Sequence, residues 1–114
     1  GRVWELHPLV VKPSHQRRGI GRALVGDLEK QVAERGGLTL WLGSDDVDGS
    51  TTLAAVDLFP DLLGHLGRIK NLHSHPYEFY QKMGFSLSGV MPDANGPGKP
   101  DIFLAKKIGG AALD

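Results

Sequence analysis

A segment near the start of the chain, residues 3–28, constrains the fold more than any other because it reads as strand, loop and helix. Residues 3–11 are rich in β-forming side chains but contain Pro8. Proline cannot donate a hydrogen bond to a sheet, so a strand here should bulge or splay at that point. Beyond the loop, apolar residues recur at i, i+4 spacing. This spacing predicts a helix over residues 19–35 with one apolar face, formed by Ile20, Leu24, Leu28 and Val32.

The loop between strand and helix has the composition of an anion-binding turn. It reads Gln16-Arg17-Arg18-Gly19-Ile20-Gly21 and leads directly into the helix. Free backbone N–H groups at a helix start bind anions, and glycines let the ligand approach the backbone. A G-x-G pair also occurs in dinucleotide-binding folds, but the acidic ribose partner expected about 20 residues later is missing here. The simplest ligand is therefore a phosphate or pyrophosphate, with an ordinary strand-to-helix turn as the alternative.

The rest of the chain alternates short strands, helices and loops. Gly36-Gly37 should end the first helix, and residues 38–43 form an apolar strand that completes a parallel βαβ unit. Residues 44–52 form an acidic loop. Helices are predicted over residues 60–69 and 76–83, each opened by a proline. Strands are predicted over 85–90 and 101–108, with a proline- and glycine-rich loop between them.

Composition excludes several classes of protein. The 114 residues suffice for one small domain, and a formal net charge of zero argues against a general nucleic-acid binder. Without cysteine there is no disulfide, thiolate metal site or cysteine nucleophile. No apolar run approaches the roughly 20 residues of a membrane span, so we expect a cytoplasmic protein without membrane contact. His73 and His75 lack a metal-binding context, and we predict no metal site.

The order of several motifs resembles the GNAT N-acetyltransferase superfamily, and within it the aminoglycoside 6'-N-acetyltransferases. The matching segments are W-E-L-H-P-L-V-V, Q-R-R-G-I-G, L-G-S-D-D, H-P-Y-E-F-Y, M-G-F, G-V-M-P-D-A-N-G and K-P-D-I-F-L-A-K, which together run from residue 3 to residue 108. The resemblance implies an α/β fold with a mixed sheet flanked by helices. Residues 1–114 would form a single GNAT domain that lacks the N-terminal strands and helices, because the chain opens on Gly1-Arg2 and enters a strand at once.

The resemblance also implies acetyl-coenzyme A as co-substrate and assigns residues to it. In the family, amides of the loop hold the pyrophosphate, while the splayed strand receives the pantetheine arm and the thioester. Asn71 is a further candidate for contact with that arm, although a turn or helix cap is the favoured alternative. The predicted coenzyme-binding residues are Leu9, Val10, Val11, Gln16, Arg17, Arg18, Gly19, Ile20, Gly21, Asn71 and Tyr80.

Three residues are predicted to carry the chemistry implied by the resemblance. Glu5, a carboxylate in an otherwise apolar strand, would act as general base through water; a paired or solvated strand-edge carboxylate is the alternative. The backbone N–H of Leu9 would polarise the thioester oxygen. Tyr80 would protonate the leaving thiolate, although Tyr77, Phe79 and Tyr80 could equally be core aromatics.

The acceptor implied by the resemblance is an aminoglycoside, a polycation whose site should be acidic. The candidates for its contacts are Glu5, His7, Asp45 and Asp46. Weaker candidates of the same charge are Asp48, Asp57, Asp61, Asp93 and Asp101.

The expected function is therefore transfer of acetyl to the 6'-amine of an aminoglycoside by direct attack in a ternary complex, which would confer antibiotic resistance. The protein would be a homodimer, as the resembling enzymes often are. Two alternatives remain open. One is a GNAT enzyme acting on another amine, such as a polyamine or a protein lysine. The other is a non-catalytic fragment that binds coenzyme A.

Overall fold

A computed structural model describes residues 1–7 and 19–110. In chain order its strands and helices are β1 (Val3–Glu5), α1 (Ile20–Glu34), β2 (Thr39–Asp45), a short 3-10 helix (Phe59–Asp61), α2 (Leu62–Gly67), α3 (Tyr77–Lys82), β3 (Ser86–Met91) and β4 (Asp101–Lys107). The strands form one sheet in the order β1-β2-β4-β3. The β1–β2 pair is parallel and the β3–β4 pair is antiparallel, so the predicted mixed α/β sheet is confirmed.

The chain divides into two compact units, and the single domain expected from the sequence stays a prediction. One unit draws on Gly1–Leu42 and Lys106–Asp114, and the other is Gly43–Ala105. In the part that the structure describes, no helix is long and apolar enough to cross a membrane.

In the first unit, β1 and β2 lie in parallel register, with Val3 opposite Thr39 and Glu5 opposite Trp41. The ladder continues for one more residue, because the Leu6 N–H donates to the Trp41 carbonyl at 2.7 Å. The strand predicted over residues 3–11 is confirmed over Val3–Glu5, and its continuation from residue 8 lies outside the described residues. The parallel βαβ unit predicted from the sequence is confirmed.

Helix α1 begins and ends within one residue of its predicted limits, and the prediction of its apolar face was wrong at Leu24. Leu24 is 51% exposed, whereas Val25 and Val32 are fully buried. A strict i, i+4 series advances about 40° beyond a full turn at each step, so it winds off any one face. The side of α1 that faces the core instead follows 4-3-4 spacing, which stays on one side of a 3.6-residue helix. Its residues are Gly21, Val25 and Val32, which are buried, and Leu28, which is half-buried.

The end of α1 follows the predicted glycine stop. Gly36 has a left-handed φ of 79°, and the N–H of Gly37 donates back to the Val32 carbonyl at 2.9 Å. This is the hydrogen-bond pattern of a glycine C-cap. A half-buried ion pair between Glu29 and Lys106, 2.8 Å long, ties the helix to the end of β4. Both contacts fix α1 within the first unit.

The second unit is built around β3, which both α2 and α3 contact. The helix predicted over residues 60–69 appears as the 3-10 helix followed by α2, and the helix predicted over residues 76–83 appears as α3. Gly84 ends α3 with a φ of 94°. Along β4, alternate residues point into the core, as the sequence predicted for Ile102 and Leu104. The core of this unit consists of Leu53, Leu58, Leu66, Tyr77, Tyr80, Phe85, Ile102 and Leu104.

Candidate functional site

In the first unit, Glu5 and His7 both have exposed side chains. Glu5 is the last residue of β1, and His7 lies two residues beyond it. An exposed carboxylate at a strand end is accessible to a water molecule or to an amine, as a general base must be. The roles of Glu5 as general base and of Glu5 and His7 as acceptor contacts stay predictions.

Most of the predicted coenzyme contacts fall outside the described residues. These are Leu9, Val10, Val11, Gln16, Arg17 and Arg18. The predicted splay at Pro8 and the predicted role of the Leu9 amide lie outside the described residues as well. The described end of the loop shows Gly19 at a left-handed φ of 72°, in the N-cap position of α1. A left-handed φ favours glycine, which is the residue that the predicted anion-binding turn has at this position.

Among residues 1–7 and 19–110, no side chain competes for the amides at the start of α1. Among the described residues, none caps the helix through its side chain, and no acidic residue lies in the first turn. The first N–H groups of a helix need partners, and the partial positive charge there favours an anion. Residues 19–21 therefore fit the loop end predicted for a pyrophosphate.

In the second unit, Tyr80 is 2% exposed and packs edge-on between two phenylalanines. Its ring centroid lies 5.1 Å from that of Phe79 and 5.8 Å from that of Phe85. Edge-to-face contacts of this kind fix a ring's orientation. These contacts fix the position of the Tyr80 ring. A fixed position is expected both for a core residue and for a proton donor, so the predicted role of Tyr80 stays a prediction.

Tyr77 is also buried, and burial raises the pKa of its hydroxyl above the ordinary value of 10.0, with the negative charge of Glu78 adding to the effect. Both causes disfavour the phenolate. Tyr77 therefore stays protonated at neutral pH.

The two predicted carboxylates of the acidic loop have different environments. Asp45 is exposed, and its side chain accepts only a long hydrogen bond from the Val47 N–H, at 3.3 Å. Asp46 is 2% exposed. Its carboxylate accepts from the Ser50 N–H at 2.6 Å, the Thr51 N–H at 3.0 Å and the Thr51 hydroxyl at 2.7 Å. Asp45 is therefore accessible to a ligand, whereas the hydrogen bonds of Asp46 stabilise the loop. Contact of either residue with the substrate stays a prediction.

Asn71 has the geometry of the favoured alternative, a turn. Its side chain accepts the N–H of His75 at 2.7 Å and donates to the carbonyl of His75 at 2.9 Å. Thr51 pairs with Asn71 as an isolated β-bridge, which joins this turn to the acidic loop. The predicted contact with the coenzyme arm is untested.

Sequence reasoning missed His75 as a structural residue and considered it only as a metal ligand. Its buried ring lies between the Asp45 carbonyl and the Tyr77 N–H. The one sequence signal was its position directly before Pro76, at a helix start. Among the described residues, no three His, Cys, Asp or Glu side chains are grouped as a metal site would require.

A cavity of about 410 Å³ in the second unit brings together two of the weaker acidic candidates. Asp57 and Asp93 line it. The other lining residues include Val56 and Phe59, from the segment before α2, and Pro92 and Pro97, from the loop after β3. Asp93 is held at a left-handed φ of 57° and accepts the Gly98 N–H at 2.8 Å. Two carboxylates at one cavity favour a cationic ligand over an anionic one.

Comparison with known proteins identifies the family to which this mixed sheet belongs. The profile of the "Acetyltransferase (GNAT) family" matches residues 1–65, and the chain belongs to this family. The GNAT resemblance inferred from the sequence motifs is confirmed. No curated protein matches the chain.

Solved structures extend the similarity over the whole chain. The chain is similar to an aminoglycoside 6'-N-acetyltransferase complexed with coenzyme A, at 49% identity and a TM-score of 0.93 over 99% of this chain and 63% of that one. It is equally similar to the aminoglycoside 6'-N-acetyltransferase from Enterococcus faecium, at 49% identity and a TM-score of 0.91, covering 99% of this chain and 65% of that one. An aminoglycoside 6'-acetyltransferase type Ii is 43% identical, with a TM-score of 0.67 over 98% and 57% of the two chains. The chain thus spans less than two thirds of the length of each of these proteins.

Proposed function

We propose that the protein is an aminoglycoside 6'-N-acetyltransferase that uses acetyl-coenzyme A and thereby confers resistance to these antibiotics. The observation that carries the proposal is the 49% identity over 99% of the chain to an aminoglycoside 6'-N-acetyltransferase complexed with coenzyme A.

The proposed reaction is a direct transfer in a ternary complex. The 6'-ammonium loses a proton to Glu5 through water, and its nitrogen attacks the carbonyl carbon of the thioester. The C–N bond forms as the C–S bond breaks, with the carbonyl oxygen stabilised by the Leu9 amide. The leaving thiolate takes its proton from Tyr80. The second proton of the attacking nitrogen is lost as the amide forms, and its transfer through water to the Tyr80 phenolate restores the hydroxyl. The products are an N-acetylated aminoglycoside and coenzyme A.

Two features of the described residues support this assignment of binding roles. The uncapped start of α1, with Gly19 in a left-handed conformation, suits the pyrophosphate of the coenzyme. The exposed Asp45 and the carboxylates of Asp57 and Asp93 at the cavity suit a polycation.

A second candidate function is acetylation of a different amine, such as a polyamine or a protein lysine. The family profile favours it as much as the first, because it identifies only the acetyltransferase family. The two candidates differ in which acceptor stimulates thiol release.

The deciding experiment measures thiol release from acetyl-coenzyme A in the presence of two aminoglycosides that differ only in bearing a 6'-amine or a 6'-hydroxyl. We expect release with the amine alone, and mass spectrometry should find one added acetyl on that acceptor. Release with a polyamine or a lysine peptide but with neither aminoglycoside would establish the second candidate. Binding of the coenzyme without release with any amine would contradict both.

A further inference from the structure

His75 occupies a junction in the second unit that the proposed mechanism leaves unexplained. Its side chain is only 5% exposed, and each ring nitrogen has a main-chain partner. Nε2 lies 2.7 Å from the carbonyl oxygen of Asp45, the last residue of β2, and Nδ1 accepts the N–H of Tyr77, the first residue of α3, at 3.0 Å. One side chain therefore joins the end of a strand to the start of a helix.

These partners determine where the ring carries its hydrogen. A carbonyl oxygen can only accept, so Nε2 must donate to Asp45; a backbone N–H can only donate, so Nδ1 must accept from Tyr77. The ring is thus the neutral tautomer with hydrogen on Nε2. Because both nitrogens are engaged and the ring is buried, His75 cannot take a proton from a substrate, which excludes it as a general base.

The main chain around His75 is fixed as firmly as its ring. Asn71 holds both its N–H and its carbonyl, at 2.7 Å and 2.9 Å. The preceding residue, Ser74, has a left-handed φ of 56°, a strained conformation for a residue other than glycine. The ring of Tyr77 lies against that of His75, with centroids 5.6 Å apart. Such strain persists only where neighbouring contacts over-determine the conformation.

The helix that His75 holds is the one that carries Tyr80. The N–H of Tyr80 donates to the carbonyl of Pro76, the residue directly after His75, at 3.3 Å. Helix α3 has only six residues, so its first turn sets the position of Tyr80. A short helix has little stability of its own and depends on such tertiary contacts.

We propose that His75 is a positioning residue, which tethers α3 to the carbonyl of Asp45 and so fixes the position of Tyr80 on that helix. The role of Tyr80 in this inference rests on the proposed function. The two hydrogen bonds that tether α3 do not depend on that function. Asp45 lies at the start of the acidic loop and is itself a predicted acceptor contact. The Nε2–Asp45 bond therefore couples the proposed proton donor to a proposed part of the acceptor site.

Two substitutions separate the two hydrogen bonds of the ring. In His75→Gln, the longer amide reaches the position of Nε2 and donates to the Asp45 carbonyl. In His75→Asn, the shorter side chain places its oxygen near the position of Nδ1 and still accepts the Tyr77 N–H, but it leaves the Asp45 carbonyl without its donor. His73→Gln, on an exposed neighbour, is the control.

We expect His75→Asn to lower kcat for acetyl transfer by about 10- to 100-fold, because a misplacement of about 1 Å can cost that much. His75→Gln should keep kcat within about threefold, and KM for acetyl-coenzyme A should change in neither variant, since the tether acts on the chemical step. Thermal denaturation checks that both variants fold. Equal kcat values for the two variants, whether both normal or both low, would overturn the proposal.

A second measurement does not depend on activity. Amide hydrogen exchange at Tyr80 and Met83 should be faster in His75→Asn than in the wild type, and close to the wild type in His75→Gln and His73→Gln. Nitrogen-15 NMR of the wild-type ring should show a protonated Nε2 and an unprotonated Nδ1. Unchanged exchange in His75→Asn, or the other tautomer, would overturn the tether even if the enzyme proves active on aminoglycosides. If the wild type acetylates no aminoglycoside, the proposed function fails, and these two results still decide the tether.

Discussion

At the scale of single residues, the chemistry proposed for this protein depends on groups in contrasting environments. Glu5 is exposed at the end of β1, whereas Tyr80 is buried between aromatic rings. A base that works through water needs access to it, and a proton donor to a thiolate benefits from a fixed, water-poor position. Each role can be tested by a substitution that keeps the shape of the side chain.

Glu5→Gln should lower kcat for acetyl transfer by about 100-fold, since positioned acid–base groups typically contribute 10²–10⁴-fold. KM for acetyl-coenzyme A should not change, because the carboxylate acts on the acceptor. Glu34→Gln, an exposed carboxylate at the end of α1, is the matched control and should behave as the wild type. Steady-state kinetics across pH check this, and unchanged turnover at every pH would mean that Glu5 is a solvated strand-edge residue.

Tyr80→Phe should lower kcat by about tenfold or more while the KM for acetyl-coenzyme A changes little, because only the proton donor is lost. The ring contacts with Phe79 and Phe85 remain in the variant. Tyr77→Phe, a buried tyrosine one turn away, is the matched control and should keep its rate. The prediction fails if the two variants have the same kcat, which would return Tyr80 to a packing role.

The titration of Tyr77 should be displaced to high pH. Burial and the charge of Glu78 raise the pKa of its hydroxyl above 10.0, so the folded state keeps the proton at a pH where the unfolded state has lost it. The stability this provides is complete below a pH of about 10 and is lost as the pH rises through the folded value. Tyr80→Phe leaves Tyr77 as the one tyrosine of the chain, so ultraviolet absorbance reports it alone. A midpoint at or below the value in denaturant would contradict the prediction.

At the scale of elements, the acidic loop after β2 shows what sequence reasoning can and cannot reach. The run of acidic residues after an apolar strand located the loop, because strand and charge pattern are both local properties. The sequence did not predict that Asp46 is buried while Asp45 is exposed. Burial of Asp46 depends on the fold of the loop, which brings Ser50 and Thr51 within hydrogen-bond distance of its carboxylate. The structural role of His75 was missed for the same reason, since its partner is the Asp45 carbonyl at the far end of β2. The turn favoured for Asn71 depends on residues close in sequence, and it could be predicted.

Asp46→Asn should lower the free energy of unfolding by about 1–3 kcal/mol, because one buried donor among Ser50 and Thr51 would lose its acceptor. Asp45→Asn should change it by less than about 0.5 kcal/mol, as expected for an exposed residue. Asp45→Asn should instead raise KM for the aminoglycoside about fivefold, since an exposed ion pair contributes up to about 1 kcal/mol. Urea denaturation and acceptor kinetics measure the two effects, and the reverse pattern would assign ligand contact to Asp46.

At the scale of the whole molecule, the order and type of the elements followed from the sequence, while their exact faces did not. Glycines and prolines marked both ends of α1 and the start of α3, so these limits were predicted closely. The buried face of α1 was predicted with Leu24 in place of Val25, because both are apolar and an i, i+4 series was followed where the helix keeps one face at 4-3-4 spacing. The identification of the GNAT family was correct because its motifs are spread along the chain, and the family match is independent of such local errors.

The last prediction concerns association. Large apolar side chains from both units are exposed: Val3, Leu24, Leu38, Val47, Val56, Phe59, Leu63, Leu72 and Met91. Exposed apolar side chains favour self-association where they form a contiguous patch, and closed two-fold dimers are the commonest form of association. We therefore expect the chain of 12.3 kDa to sediment as a homodimer of twice that mass. Because apolar contacts are not screened by salt, the dimer should persist in high salt, whereas an association between charged surfaces would weaken there. Analytical ultracentrifugation over a range of protein and salt concentrations tests this, and a monomer mass throughout would contradict it.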